Sequence, residues 1–262
     1  AAATDPTKVH VVFLTGDPVA EAVAKNAARP KASPSRNVDV VLRVSASAQD
    51  HKHIASEAAK GFGVLFIGRE PLMQGSQIHE QIARSAASFA GAFAVVAARG
   101  AHRDGPVDAR LNILVPVNGT GASRLGAELA VALAQGAQGT ITALYITSAA
   151  AHRRRRRISF WRPAVTHDAV GEAVIRETIE LGGHYHVPVR GRILPHQPAS
   201  EAILRELRSG GFNLLVSGVS PRAGSTLSLG EVAGDLLERA QSSLLLISSE
   251  AATPQRRDAQ SP

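Results

Sequence analysis

The sequence lacks cysteine, a signal-peptide pattern and any apolar run long enough to span a bilayer. Without cysteine the chain can form no disulfide, thiolate metal site or thiol nucleophile, which is compatible with a cytoplasmic location. Apolar runs such as residues 93–98 are far shorter than the ~18 to 20 residues of a transmembrane helix. Residues 1–6 have neither an initiator methionine nor the charged-then-apolar order of a leader, which is compatible with a piece of a longer protein.

Two copies of an internal repeat lie at an offset of 150 residues. Residues 61–71, GFGVLFIGREP, recur as residues 211–221, GFNLLVSGVSP, and after one inserted residue 79–98 matches 230–249. Each copy reads as strand, glycine-containing loop, helix and strand, which is the order of a parallel α/β sheet with ligand crevices at the strand C-termini. A chain of 262 residues with 44% apolar residues can also bury two cores.

The apolar pattern predicts strands in both copies. They are residues 9–14, 38–44, 64–67, 93–97, 111–117, 141–146, 187–194, 214–217 and 244–247. The second copy thus belongs to a five-stranded domain, whereas the first matches only its later part and lacks the opening strand and helix. The predicted divisions are a partial domain at 1–104, a domain at 105–250 and a polar tail at 251–262.

Some segments also have predicted environments. Residues 64–67 read as a fully buried strand, residues 76–90 as a helix, and residues 99–109 as a linker without periodicity. On the helix after strand 111–117, the predicted inward stripe consists of Leu125, Leu129, Ala132 and Leu133.

The second copy resembles a universal stress protein domain. Residues 114–120, LVPVNGT, followed by Ser123 and an alanine-rich helix, are similar to the opening of such a domain, and residues 215–218 and 236–246 are similar to its close. The resemblance implies an α/β fold of two tandem Rossmann-like domains with parallel sheets, the first incomplete at its N-terminus.

A narrower resemblance concerns both copies. Residues 66–71 with 79–86, and residues 218–222 with 230–233, are similar to the paired stress-protein-like domains in the cytosolic C-terminal region of some bacterial sodium or potassium/proton antiporters. This implies a regulatory or sensing module without enzymatic activity, joined to an N-terminal transmembrane antiporter domain. The alternative is a free-standing soluble universal stress protein that binds adenine nucleotide, with weak ATP hydrolysis as its enzymatic variant.

The nucleotide-binding branch of the family implies a site for ATP or AMP. Its candidate residues here are Asn118, Gly119, Thr120, Gly218, Val219, Gly224, Gly230 and Glu231. Glycines in the last long loop let backbone amides reach phosphates at a helix N-terminus. Here Pro221 replaces the second glycine and removes an amide donor, Glu231 would repel a phosphate, and Asn118 replaces the family's aspartate. We therefore expect weak nucleotide binding or none.

Each candidate also has a structural interpretation. Residues 228–231, SLGE, form the pattern of a capping box in which Glu231 returns to the amide of Ser228. Gly218 and Gly68 fit a sharp turn out of a strand as well as ligand approach. Residues 118–120 are expected to form a helix-capping turn even in a binding domain.

Metal and catalytic patterns are incomplete. His79-Glu80 begins like a zinc-protease helix, but Ala83 stands where the second histidine is required. The histidine pairs at 51 and 53 and at 184 and 186 lack a third ligand, so we expect surface histidines. No serine or carboxylate pair has catalytic spacing, and we predict no metal site and no catalytic residues.

Most of the net charge of +7 comes from one arginine-rich segment, Arg153, Arg154, Arg155, Arg156, Arg157 and Arg162. Without these six residues the balance is about +1. Such a run is typical of a solvated loop because its charges repel. With Phe160 and Trp161 beside it, the segment also fits the anionic inner face of a cell membrane. Nucleic acid is not expected, because no recognisable binding module surrounds the run.

The last strand of each copy, at 93–97 and 244–247, is apolar enough to need cover from a neighbour. In stress-protein dimers the last strands commonly meet, as the resemblance implies. We therefore predict an intramolecular pseudo-dimer.

Overall fold

The computed structural model describes residues 9–15, 38–44, 56, 60–68, 72–74, 77–87, 89, 91–104, 110–147, 167–195, 197–220 and 229–248. The chain divides into two compact units, residues 1–62 and 63–262. In the first unit, strand β1 (Val9–Thr15) pairs in parallel with strand β2 (Val38–Val44). The second unit spans the predicted boundary at residue 104, and the domain limits stay a prediction.

The second unit contains one seven-stranded sheet in its described part. Its strands are β3 (Val64–Gly68), β6 (Ala92–Ala97), β7 (Asn112–Pro116), β8 (Thr140–Ile146), β9 (Val189–Leu194), β10 (Leu214–Gly218) and β11 (Ser243–Ser248). They are arranged in the order β3-β6-β11-β10-β7-β8-β9. All neighbours are parallel except β6 and β11. The prediction of an α/β fold with a mostly parallel sheet is confirmed.

Helices cover both faces of this sheet. They are α1 (Glu80–Ala87), α2 (Ala101–Asp104), α3 (Gly121–Ala137), α4 (His167–His184), α5 (Ala199–Ser209) and α6 (Glu231–Arg239). Apolar residues of α1, α5 and α6 pack with Phe93, Leu215 and Leu244 on one face. Residues of α3 and α4 pack with Val216 and Ile247 on the other. Hydrophobic burial on two faces explains why the central strands are apolar throughout.

The antiparallel pairing of β6 with β11 is symmetric. Val95 lies opposite Leu246, which is its own counterpart in the repeat, and the register continues outward to Leu244 opposite Ala97 and Ser248 opposite Phe93. The parallel pairs are also equivalent in the two repeats. Leu65 of β3 lies opposite Phe93 of β6, and their repeat counterparts, Leu215 of β10 and Leu244 of β11, lie opposite each other. The last strands of the two copies therefore meet side by side around a local twofold axis.

Strand β3 differs from the predicted fully buried strand. Val64 and Phe66 are 43% and 52% exposed, whereas their counterparts in β10, Leu214 and Val216, are 8% and 0% exposed. The prediction of full burial is wrong because β3 lies at the edge of the sheet, and no helix among the described residues covers this face of it.

Three other predictions of local structure need correction. The predicted helix at 76–90 begins at Glu80, and a short hairpin of β4 (Met73–Gln74) and β5 (Gln77–Ile78) precedes it. The predicted linker at 99–109 contains α2. The buried face of α3 consists of small residues, namely Ser123, Gly126, Ala127, Ala130, Val131 and Ala134. The leucines of the predicted stripe are partly buried at its flank, because the helix lies too close to the sheet for them.

A polar cluster ties α2 to the start of β11. The hydroxyl of Ser243 accepts a hydrogen bond from the amide of Arg99 at 2.9 Å and donates one to the Arg99 carbonyl at 3.0 Å. The same hydroxyl oxygen also lies 2.9 Å from Nδ1 of His102, which is hydrogen-bond distance. The Arg99 guanidinium donates to the carbonyls of Leu237 and Ala240, which satisfies the C-terminal end of α6.

His102 should make stability depend on pH. Its Nε2 atom is buried and, among the described residues, has no hydrogen-bond partner, and burial lowers the pKa of His102. The unfolded chain, with a histidine pKa of about 6.5, then binds a proton that the folded chain rejects. We expect the free energy of unfolding to fall as pH falls below about 6.5 and to level off below the lowered pKa.

Urea unfolding between about pH 5 and pH 7.5 measures this dependence. His102→Gln should flatten it, and His186→Gln, which changes an exposed histidine, should leave it intact. An unchanged slope in His102→Gln would assign the dependence to other groups.

Candidate functional site

The strand order places a crevice at the C-terminal ends of β7 and β10. From β7 the sheet continues through β8 and β9 on one side and through β10 and β11 on the other. Loops that leave adjacent strands at such a reversal diverge, and ligands of open α/β sheets bind there. Asn118 follows β7, and Gly218 ends β10, so the structure brings these two predicted site residues to one edge.

Asn118, Gly119 and Thr120 form the capping turn of α3. The Thr120 hydroxyl accepts from the Ser123 amide at 3.2 Å, and the Asn118 side-chain oxygen accepts from the Thr120 amide at 3.0 Å and from its hydroxyl at 2.7 Å. Gly119 has a φ of 81°, which favours glycine. The predicted capping turn is confirmed.

This turn leaves little for a nucleotide to bind. Two of the amides that could hold a phosphate at the start of α3 are already bonded, those of Thr120 and Ser123. The side-chain oxygen of Asn118 already accepts two hydrogen bonds from Thr120. The side-chain amide of Asn118 can therefore offer a ligand chiefly its NH2 donors. An aspartate at this position would have kept acceptors for adenosine hydroxyl or amino groups.

Gly218 is a packing residue. A Cβ atom placed on it would lie 1.6 Å from the Ala122 carbonyl oxygen, and one placed on Gly126 would lie 2.5 Å from the Gly218 amide. The backbones of α3 and β10 therefore touch. The φ of Gly218 is outside the left-handed region, so the backbone conformation does not require glycine. The contact with α3 is sufficient to explain this glycine.

Helix α6 begins at Glu231, with Gly230 as its N-cap. Gly230 has a φ of 84°, a conformation that favours glycine, and as a glycine it has no side chain of its own with which to cap the helix. Ser228, the first residue of the predicted capping box, lies outside the described residues, so the capping box stays a prediction. Glu231 is exposed in the first turn, where the helix dipole stabilises a carboxylate.

The structure describes only part of the remaining predicted nucleotide loop. Val219 is buried, and its amide donates to the Ile247 carbonyl at 2.8 Å. This amide therefore extends the pairing of β10 with β11 and is not free to bind a phosphate. Gly224 and Pro221 lie outside the described residues. The structure thus brings Asn118, Gly119, Thr120, Gly218 and Val219 to one edge and places Gly230 and Glu231 at the start of α6.

No pattern in the sequence indicated the shallow pocket that lies between α3 and α4. It has a volume of about 120 Å³ and is lined by Val117, Gly119, Ser123, Arg124, Ala127, Glu128, Val174, Glu177, Thr178 and Leu181. Arg124 and Glu177 bridge the two helices at 2.8 Å, and both are more than half exposed, so the pair contributes little stability. The volume is well below the roughly 300–1,000 Å³ of small-molecule sites.

The other candidate sites have mixed outcomes. His184 contacts the Tyr185 ring edge-on, and His186 is exposed. Across the described ranges, no three histidine, aspartate or glutamate side chains are grouped as metal ligands would be. In the same ranges, no helix has the length and apolarity to cross a membrane. The arginine-rich segment, with Phe160 and Trp161, and the histidines at 51 and 53 lie outside the described residues.

Comparisons with known proteins identify similar domains. The model of the universal stress protein family matches residues 110–248, and no curated protein matches the chain. A solved structure described as a universal stress protein from Pseudomonas aeruginosa UCBPP-PA14 is 16% identical, with a TM-score of 0.53 over 92% of this chain and 82% of that one. A protein of unknown function from Pseudomonas aeruginosa PAO1 is 17% identical, with a TM-score of 0.50 over the same shares.

A third structure, a universal stress protein family protein from Arabidopsis thaliana, has AMP bound. It is 16% identical and has a TM-score of 0.40 over 56% of this chain and 97% of that one. At these identities the likenesses concern the fold.

Proposed function

Because the chain belongs to the universal stress protein family, we propose that it is a tandem regulatory or sensing module and the cytosolic C-terminal part of a monovalent cation/proton antiporter. The observation that carries the tandem arrangement is the symmetric pairing of β6 with β11. It joins the last strands of two sequence repeats in the manner of a homodimer interface, with each residue opposite its partner's equivalent. The antiporter part rests on the sequence resemblance of both repeats.

A sensing role also agrees with the chemistry of the switch point. Its polar side chains bond one another in a helix cap, and Gly218 is in contact with α3. No described group there has the arrangement of a nucleophile with its base. Such a module would act through a change of conformation or of contacts.

The antiporter assignment is tested in the gene and in transport. The reading frame upstream of residue 1 should encode about ten apolar segments of ~20 residues. In everted vesicles, deleting residues 1–262 from that full protein should change the ion or pH dependence of exchange while exchange itself persists. A start codon directly before residue 1 would contradict the assignment and favour a free-standing stress protein.

The second candidate function is adenine-nucleotide binding, and the affinity of the chain for ATP tests it. We expect ATP to bind weakly or not at all, because the α3 cap is self-satisfied and Glu231 brings negative charge to the start of α6. Isothermal calorimetry of the chain with ATP or AMP at physiological salt should give a dissociation constant weaker than ~1 mM.

Two variants separate the causes of weak binding. Glu231→Ser should strengthen any ATP binding severalfold because it removes a like charge, whereas Glu238→Ser, at the other end of the same helix, should not. A micromolar constant for the unmodified chain would overturn the expectation and favour the free-standing stress protein.

Membrane contact through the arginine-rich segment remains a proposal from its sequence. Each basic residue near anionic lipid contributes about 1 kcal/mol, less the cost of ordering the loop, which is enough for reversible docking. Replacing Arg153 to Arg157 with serine should abolish cosedimentation with phosphatidylserine vesicles and leave the fold intact. Equal binding to neutral and anionic vesicles would contradict this proposal.

A further inference from the structure

Among the residues that the structure describes, strand β3 has no neighbour corresponding to the one that β10 has in β7. In the second repeat, β10 pairs with β11 on one side and with β7 on the other. In the first repeat, β3 pairs with β6 in the same register and ends the sheet. One edge of β3 therefore offers the backbone groups that β10 uses to bind β7.

In the described part of the chain, no helix covers one face of β3 at the same place. Leu214 and Val216 of β10 are buried in the core formed with α3 and α4, whereas the equivalent Val64 and Phe66 are about half exposed. The opposite face of β3 is different, because Leu65 and Ile67 pack against the core that contains Phe93. The exposed apolar surface thus lies where the helix following β7 would pack.

Gly68 supplies an independent observation. Its counterpart Gly218 must be glycine, because the first turn of α3 leaves no room for a Cβ atom. At Gly68 the nearest atom to a Cβ would be the Val96 carbonyl oxygen at 3.9 Å, which is an ordinary contact, and the φ of Gly68 is outside the left-handed region. Nothing among the described contacts requires glycine at this position, whereas a helix packed as α3 packs on β10 would require it.

We propose that β3 is the binding site for a strand-and-helix segment of the same kind as β7 with α3. The strand would be apolar, about five residues long and parallel to β3, and it would continue the sheet through main-chain hydrogen bonds. The following helix would place a small-residue face over Val64 and Phe66 and its first turn against Gly68. The interface of β10 with β7 and α3, which the structure contains, is the template for each of these contacts.

This binding site goes beyond the proposed regulatory function and does not depend on it. It follows from the repeat, the edge position of β3, the exposure of two side chains and the unexplained glycine. A partner that supplies such a segment would complete the first repeat, whether or not the chain is joined to an antiporter.

The test uses the full chain and a synthetic peptide with the sequence of residues 110–138, which copies β7 and α3. Fluorescence anisotropy of the labelled peptide should show saturable binding, and hydrogen exchange should slow at residues 64–68. A peptide with Leu114→Pro, which cannot continue a sheet, should bind at least about tenfold more weakly.

Protein variants locate the site. Gly68→Val should weaken peptide binding at least about tenfold without lowering the melting temperature, because the side chain would occupy the space of the incoming helix. Gly183→Val, at an exposed glycine of α4 with open space beside it and far from β3 in the sheet order, should bind the peptide normally. Loss of binding in Gly68→Val alone would support the proposal.

Three results of the peptide experiments would overturn the proposal. They are absence of binding up to ~1 mM peptide, binding that Gly68→Val does not weaken, and protection that maps to β10 instead of β3. Protection of residues 64–68 in the chain alone, rising together with a dimer in sedimentation, would mean that a second copy covers this edge. That outcome would also contradict the proposed segment.

Discussion

Gly218→Ala is expected to lower the free energy of unfolding by about 3 kcal/mol or more. The added methyl group would lie 1.6 Å from the Ala122 carbonyl oxygen, so the backbone of α3 would have to move away from β10. That movement would also loosen the buried small-residue face of α3. Urea unfolding followed by circular dichroism measures the change.

Gly68→Ala is the matched control, because Gly68 is the repeat counterpart of Gly218. Here the methyl group meets nothing closer than 3.9 Å. Since alanine reduces the conformational freedom of the unfolded chain, stability should be unchanged or rise by up to about 1 kcal/mol. Equal losses in both variants would show that the two glycines serve the same local role, and would refute the packing explanation.

Val95→Asp should destabilise the whole seven-stranded sheet by about 4 kcal/mol or more. Val95 is 1% exposed, and strands flank it on both sides through Ile67 and Leu246. A carboxylate there would be buried without a partner. Because β6 and β11 share one ladder, hydrogen exchange should accelerate in β10 and β11 as well as in β6.

Val64→Asp gives the comparison at the exposed edge. The same substitution at a side chain that is 43% exposed should cost no more than about 1 kcal/mol. If Val95→Asp accelerated exchange only in residues 64–97 and left β11 protected, the two repeats would unfold separately. The single cooperative sheet inferred from the pairing would then be wrong.

The sequence predicted the strands of the seven-stranded sheet well, because most of them are short apolar runs. The apolar composition of residues 93–97 and 244–247 predicted only that each strand needs cover, and the resemblance to stress-protein dimers implied that they meet each other. By contrast, Phe66 and Val216 stand at the same repeat position, yet one is exposed and the other buried. Local sequence could not distinguish them, since burial depends on whether a helix from elsewhere in the chain covers the strand.

The candidate site was predictable only in part. Asn118, Gly119 and Thr120 have a local capping pattern, and the structure confirms it. The contact between Gly218 and Ala122 joins residues almost a hundred positions apart, so neither glycine pattern nor spacing could reveal it. The contact between His102 and Ser243 joins residues 141 positions apart, and His102 lies in a segment whose sequence predicts a linker.

The twofold seam between β6 and β11 lies within one polypeptide. Two separate chains that paired in this way would dissociate on dilution, whereas covalent connection through residues 98–242 holds the two edges at an effective concentration independent of how much protein is present. The connection also frees the two halves to diverge in sequence, since neither half has to recognise a copy of itself. The seam can therefore keep its symmetry while the surfaces on its two sides acquire different roles.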